Sequence, residues 1–420
     1  MAGMRRSNVS LAQKTVRSIR LFGLLVAQLC AYSMLSALCF ACPLYLFDCS
    51  GSSTLYGAVA AIAFIPGVLA TPAGGILADR GRHRGVLVVL GIVLMAASLL
   101  FIPMKRSLPL AVVVVAMLCV QYSIQSLLKP MLQIETVRMT GPEKVERATA
   151  LVSQMTMASN ILGPVVGTAV YGCFGIDALC ETAALTFAMS ALLFGGAPKR
   201  NASSGMTGDS TTCSTCRSDF RESIRYLFQN ASLLVVFLLA AILNLALVGL
   251  TIGAPVIVAK HLGMRSSFVG IIEVAMGLGG LVGSGLVGIW PHRFSFKGIC
   301  RYVAMISFGV VPIIVALLSG PDELAFAALA AGSAWVMAWA SITSVEIVSF
   351  VQRSVPKELC GKVLALVYMT LSCATPIGQL VYGLAYDRWT PAIVFAGMLA
   401  VLTLTTALFN RLTSRLWRMS

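Results

Sequence analysis

Ionisable side chains are scarce in this sequence, and their positions limit the chemistry open to it. Charged residues make up 11% of the 420. Glu273 and Glu181 fall inside long apolar stretches. Carrying a charge to bilayer depth costs roughly 2.5–3.5 kcal/mol on the insertion scale, so an acid placed there is a candidate for binding and releasing protons. Gln28, Gln121, Gln125 and Asn244 lie in similar stretches, where an amide can bond either a solute or a neighbouring helix. A second group sits at the ends of such stretches. Gly75 is followed by Asp79, Arg80 and Arg84; Glu135 and Arg138 close a later stretch, and Glu346 and Arg353 a third. Acids and bases so placed suit ion pairs that form and break. Catalysis finds no support: His83, His261 and His292 lie in separate polar segments, and no Ser/His, HExxH, paired-Asp or phosphate-loop pattern occurs. Cys213 and Cys216 form a CxxC without a second pair or a nearby His, which reads as reduced thiols with no metal or cofactor.

The elements that position these residues follow from hydropathy. The sequence is 58% hydrophobic, against a globular norm of roughly 45–50%. A bilayer helix needs about 20 apolar residues, because only the helix itself can satisfy its backbone there. Twelve stretches qualify, near 21–47, 54–78, 86–104, 109–133, 149–172, 178–197, 231–258, 267–290, 302–319, 324–350, 363–386 and 392–410. The first is too long for the apolar core of a secretory signal and reads as an uncleaved span. The predicted fold class is an all-α integral membrane protein.

Net charge is +15, with 31 Lys and Arg against 16 Asp and Glu. With both termini inside, 26 of the 31 basic residues fall in loops of one side, leaving Lys105, Arg106, Lys260, Arg265 and Arg388 on the other. Lys and Arg remain on the cytoplasmic side, so the basicity is topological and does not point to nucleic acid. Both termini are expected in the cytoplasm.

A polar stretch near the midpoint reads as a linker, which divides the chain into a cytoplasmic N-terminus at 1–20, a six-helix half at 21–197, a linker at 198–230, a second half at 231–410 and a tail at 411–420. Echoes between the halves support duplication. Ala150-Leu151-Val152 recurs as Ala365-Leu366-Val367, Tyr171-Gly172 as Tyr382-Gly383, and Glu135 as Glu346. Glycines concentrate in spans 2, 5, 8 and 11, with 16 against 5 in spans 3, 6, 9 and 12. Small residues let helices approach closely, so the first set reads as interface and the second as lipid-facing periphery. Trp335 and Trp339, with Tyr122 and Met337, suit either apolar cavity walls or helix packing.

Gly75 to Arg84 resembles the loop 2–3 signature of the major facilitator superfamily, although Gly81 stands one place early and Arg82 occupies the glycine position. Gly163-Pro164-Val165-Val166-Gly167-Thr168 is similar to the helix-5 motif of that superfamily's exporters, with Thr168 in place of the last glycine. The segments before spans 5 and 11, including Val355 to Val363, resemble the macrolide-efflux and enterobactin-exporter type of drug:proton antiporter. The resemblance implies two pseudo-symmetric six-helix bundles working by alternating access. It implies that Asp79 is held against the N-terminal end of helix 11 when the cytoplasmic side closes, with Arg80 and Arg84 meeting Glu135 beside Arg138. By pseudosymmetry Glu346 faces Arg293 or Arg353. It further implies a monomer in a bacterial inner membrane, exporting a small amphipathic, neutral or cationic solute against protons, with Glu273 and Glu181 as coupling sites. No Arg or Lys lies in the middle of spans 1 or 7, which disfavours strongly anionic solutes. An importer or flippase-like transporter of a nutrient or lysolipid is the alternative.

Overall fold

The computed structural model describes residues 2–79, 83–140, 145–195, 230–265, 267–355 and 357–416. All regular structure among them is helical. The helices are α1 (Ala2–Ser50), α2 (Ser53–Asp79), α3 (His83–Ser107), α4 (Leu110–Thr140), a continuous Val145–Gly195 rod, α7 (Ala231–Pro255), α8 (Ser267–Ile289), α9 (Ile299–Ser319), α10 (Asp322–Ser354), α11 (Lys357–Arg388) and α12 (Pro391–Leu416). Ten helices are long and apolar enough to cross a membrane. One of these covers 42 residues, about 63 Å at 1.5 Å per residue and twice the thickness of a hydrocarbon core. It is broken at Gly175, with φ 84° and ψ 175°, a backbone region open essentially to glycine alone. We therefore number its arms α5 (145–174) and α6 (176–195). Together with α11, 32 residues long, the described helices of membrane length come to twelve.

The chain divides into two compact units, residues 1–46 with 62–203 and residues 47–61 with 204–420. Chain order alone would place 47–61 in the first half. Packing places it in the second, so α2 contributes its first residues to one unit and the remainder to the other.

Within the first unit the helix-5 glycines let backbones approach. A Cβ on Gly163 would lie 2.4 Å from the Ser36 side chain, and one on Gly167 would lie 2.9 Å from the Ala37 carbonyl oxygen. Thr168, where the exporter motif ends in glycine, turns its hydroxyl onto the Pro164 carbonyl at 2.7 Å. In the second unit, α8 and α10 pair the same way. A Cβ on Gly279 or Gly283 would come within 2.1 or 2.0 Å of the Ala334 or Ala338 carbonyl.

The single glycines of the glycine-poor spans 3 and 9 also sit at helix contacts within their units, while both helices keep exposed apolar side chains such as Ile92 and Val315. A Cβ on Gly91 of α3 would lie 3.1 Å from Ala191, and one on Gly309 of α9 would lie 2.5 Å from Trp335. Trp335 and Trp339 are packing residues of this unit. Trp335 donates to the Met305 carbonyl at 2.8 Å, and Trp339 stacks on Tyr302 with centroids 5.8 Å apart.

Candidate functional site

Arg80 lies outside the described residues, as do the side chains of Gly75, Asp79, Arg84, Glu135 and Arg138. What the structure does place are the amides, the carboxylates of the second unit, and two charged clusters at helix ends.

In the first unit Gln28 of α1 is 1% exposed, and both its amide atoms are buried without a partner. It lines a small cavity with Tyr32, Leu94, Leu128, Phe187 and Ser190, all on helices of that unit. Gln121 of α4 is fully buried; its oxygen accepts from the Cys39 thiol at 3.3 Å, while its amide nitrogen has no partner. Gln125 is half-buried. Glu181 is exposed on α6. The charge missed by sequence reading here is Asp177, which ion-pairs Lys105 beside the Gly175 break, and the Lys105 ammonium also lies 5.4 Å from the centre of the Tyr45 ring.

In the second unit Asn244 of α7 donates its amide to the Thr375 hydroxyl of α11 at 3.1 Å. Glu273 is half-buried on α8. Glu346 is 3% exposed, and its Oε2 is buried with no hydrogen-bond partner. The expected ion pair between Glu346 and Arg293 or Arg353 is not formed. Arg353 instead donates to the Ser349 carbonyl of its own helix at 3.2 Å, and the Arg293 guanidinium sits 5.6 Å from the Trp290 ring. Both arginines are exposed while Glu346 is buried, so the pair would have to leave water for an already crowded helix face.

Among the described residues the most completely bonded acid is Asp387, at the end of α11, which sequence reading did not single out. Residues 52–54 begin α2, whose first N–H groups have no partner within the helix. Ser52 is the N-cap, and its hydroxyl accepts from the Leu55 N–H at 3.2 Å. Asp387 supplies the rest. Its Oδ1 accepts the Ser53 N–H at 2.9 Å and the Lys260 ammonium at 3.2 Å. Its Oδ2 accepts the Thr54 N–H at 2.8 Å and the Ser52 hydroxyl at 3.0 Å. Partial burial pushes the carboxyl up, but the bonds from Thr54, Ser53 and Ser52 outweigh this and hold it well below the ordinary carboxylate range. Beneath it α2 and α11 touch through backbone: a Cβ on Gly57 would lie 2.2 Å from the Gln379 carbonyl oxygen, and one on Gly383 would lie 2.8 Å from that of Ser53. The Tyr386 hydroxyl bonds the Gly249 carbonyl of α7 at 2.9 Å. Phe47, Tyr56, Ile252, Val256 and Val394 seal the apolar side of this cluster. The sequence signal was present in Ser52-Ser53-Thr54, a cap run before an apolar helix; its acceptor, over 330 residues away, had none.

Among the described residues no group of three His, Cys, Asp or Glu is placed to hold a metal ion. The arrangement is one of helices, buried amides and a bonded carboxylate at a helix end.

Comparison with known proteins accords with this chemistry. No curated protein matches the sequence. Among solved structures, the nucleoside transporter NupG superposes with a TM-score of 0.73 at 14% identity, covering 93% of this chain and 98% of its own. A bacterial homolog of the human lysosomal transporter Spinster, inward-facing and unoccupied, gives a TM-score of 0.70 at 13% identity, with 95% and 97% covered. A bacterial homologue of the iron transporter ferroportin, also inward-facing, gives 0.69 at 16% identity, with 93% and 98% covered. At such identities the likeness establishes the fold. The family model of the Major Facilitator Superfamily matches residues 24–378. A match over most of the length, on a helical scaffold shared end to end with known carriers, makes this chain a member of the major facilitator superfamily, a multi-pass membrane transporter.

Proposed function

We propose that this transporter is a proton-coupled exporter of a small amphipathic, neutral or cationic solute, with both termini in the cytoplasm of a bacterial cell. The observation that carries the export reading is the seat of Gly163 and Gly167 against Ser36 and Ala37 of α1, at the motif that resembles the exporters' helix 5. Proton coupling is supported by Glu273, a carboxylate within the apolar span Ser267–Ile289 of α8. The orientation rests on the basic loops. A solute without strong negative charge suits α1 and α7, because no Lys or Arg lies at mid-helix in either.

Reconstitution into proteoliposomes with an imposed pH gradient tests this directly. Proton release on addition of amphipathic cations is expected for the wild type, and its loss is expected in Glu273→Gln with normal insertion. Solute movement down the proton gradient in the same direction as protons would overturn export, and intact coupling in Glu273→Gln would remove that residue from the role.

A further inference from the structure

We propose that the connection between α8 and α9 holds the headgroup of an anionic phospholipid, whose acyl chains lie along α9. The site lies wholly within the second unit, and it stands whichever way the transporter moves its solute.

Three observations carry it. First, the connection is positive and the sequence around it holds no acid. Arg293, Lys297 and Arg301 fall within nine residues, and no Asp or Glu occurs between Glu273 and Asp322. All three basic residues are exposed. Among the described residues no ion pair joins Arg293 or Arg301 to a carboxylate. Second, the connection has a fixed shape. The Tyr302 hydroxyl accepts the Ser295 N–H at 2.9 Å and donates to the Ser295 carbonyl at 3.2 Å. Phe296 is buried and stacks on Phe350 with ring centres 3.9 Å apart. The Arg293 guanidinium lies 5.6 Å from the centre of the Trp290 ring, and that of Arg301 lies 5.9 Å from the centre of the Tyr302 ring. A cation–π contact holds each arginine over a ring while using none of its N–H donors, which suit the oxygens of a phosphate.

Third, an apolar stripe continues from the cations. Arg301, Phe308, Val311, Val315 and Leu318 are all exposed and recur at helical spacing, which puts them on one face of α9. They belong to the membrane-length span Phe296–Ser319, so a stripe that begins in a guanidinium runs on at hydrocarbon depth. Exposed Trp335 of α10 widens it, with its ring centre 6.3 Å from that of Phe308. At the charged end Trp290 is 48% exposed, as an aromatic anchor at headgroup level would be. A phosphate head with long apolar tails matches both parts of this surface, the head at Arg293 and Arg301 and the tails along α9. A free phosphate would use only the first part. A zwitterionic lipid would bring an ammonium to a place that is already positive.

Native mass spectrometry of the full chain in detergent, titrated with equal amounts of phosphatidylglycerol and phosphatidylcholine, tests this without a transport substrate. The wild type should take up its first phosphatidylglycerol in preference to phosphatidylcholine. Arg293→Gln and Arg301→Gln should each weaken that adduct about fivefold, the size expected for losing one cation near an anionic headgroup, and the double variant about 25-fold. Arg293→Lys keeps the charge but not the planar fork, and should fall between wild type and Arg293→Gln. Arg106→Gln removes the same charge from an exposed helix end of the first unit and should leave the adduct unchanged. An undiminished preference for phosphatidylglycerol in the double variant, in protein that elutes as a folded monodisperse peak, would overturn the site. An equal loss in Arg106→Gln would overturn it too, since net charge would then account for the binding. Displacement of the lipid by the same concentration of glycerol phosphate would assign the cations to a free anion and remove the lipid from the role.

Discussion

Asp387 and Glu346 are acids on neighbouring long helices of the same unit, and they are bonded in opposite ways. Asp387 lies one residue past the apolar part of α11 and has a donor for each face of its carboxylate, two of them backbone N–H groups of another helix. Glu346 lies on a buried face of α10, with one oxygen lacking any partner. A charged acceptor with full bonding adds stability of about 1.5–3 kcal/mol per bond at most, while an orphaned buried acceptor costs about 1–3 kcal/mol. The difference teaches that burial and bonding are separate properties. The exposed acid is the one that fastens elements together, and the buried one is left with an oxygen unmatched.

Substitutions can break or sharpen this contrast. The largest effect is expected from Gly57→Ala, whose Cβ would run into the Gln379 carbonyl oxygen. Forcing α2 off α11 should cost about 1–3 kcal/mol, seen as a lower unfolding temperature. Asp387→Asn keeps the packing and should cost about 1–2 kcal/mol, discounted for its partial exposure; an unchanged melting curve would erase the distinction between the two acids. Glu346→Gln should go the other way, gaining up to about 1 kcal/mol because a neutral amide is cheaper to bury than a carboxylate. A marked loss of stability there would mean that its second oxygen is firmly held. Lys260→Gln should cost only about 0.2–1 kcal/mol and less in high salt, since the pair is exposed.

The smallest effect concerns pH. The folded-state pKa of Asp387 lies below its ordinary range, so its stabilising contribution is present above the unfolded pKa of about 3.9 and is lost only as pH falls through the lower folded value. Its contribution to the unfolding temperature should therefore be flat from about pH 8 to pH 5. A difference between wild type and Asp387→Asn that changes steeply in that window would assign the effect to a different group.

Much of the fold was legible because hydropathy is a local property. The apolar stretches that became helices each need only some twenty consecutive residues to be read. The site was legible in type but not in partnership. Gln28 and Gln121 were recognisable as polar groups inside apolar helices, yet their burial within the first unit, Gln28 against a small cavity and Gln121 beside Cys39, depends on helix rotation that no short window encodes. Glu346 was expected to pair with Arg293 or Arg353, as charge alone would have it. Helix packing gave the arginines other neighbours, because Arg353 can reach its own helix carbonyl and Arg293 the Trp290 ring without entering the interior.

The sequence by itself determined that twelve apolar rods would form, where they would turn, and which loops would carry the positive charge, since each follows from the cost of exposing backbone or charge to lipid over some twenty residues. Only the tertiary structure decided that residues 47–61 pack with the second unit, and that Asp387 closes the first turn of a helix more than 330 positions earlier. That choice depends on two glycines allowing backbones to touch at one register. Such contact is a property of paired surfaces, and a linear string of residues does not contain it.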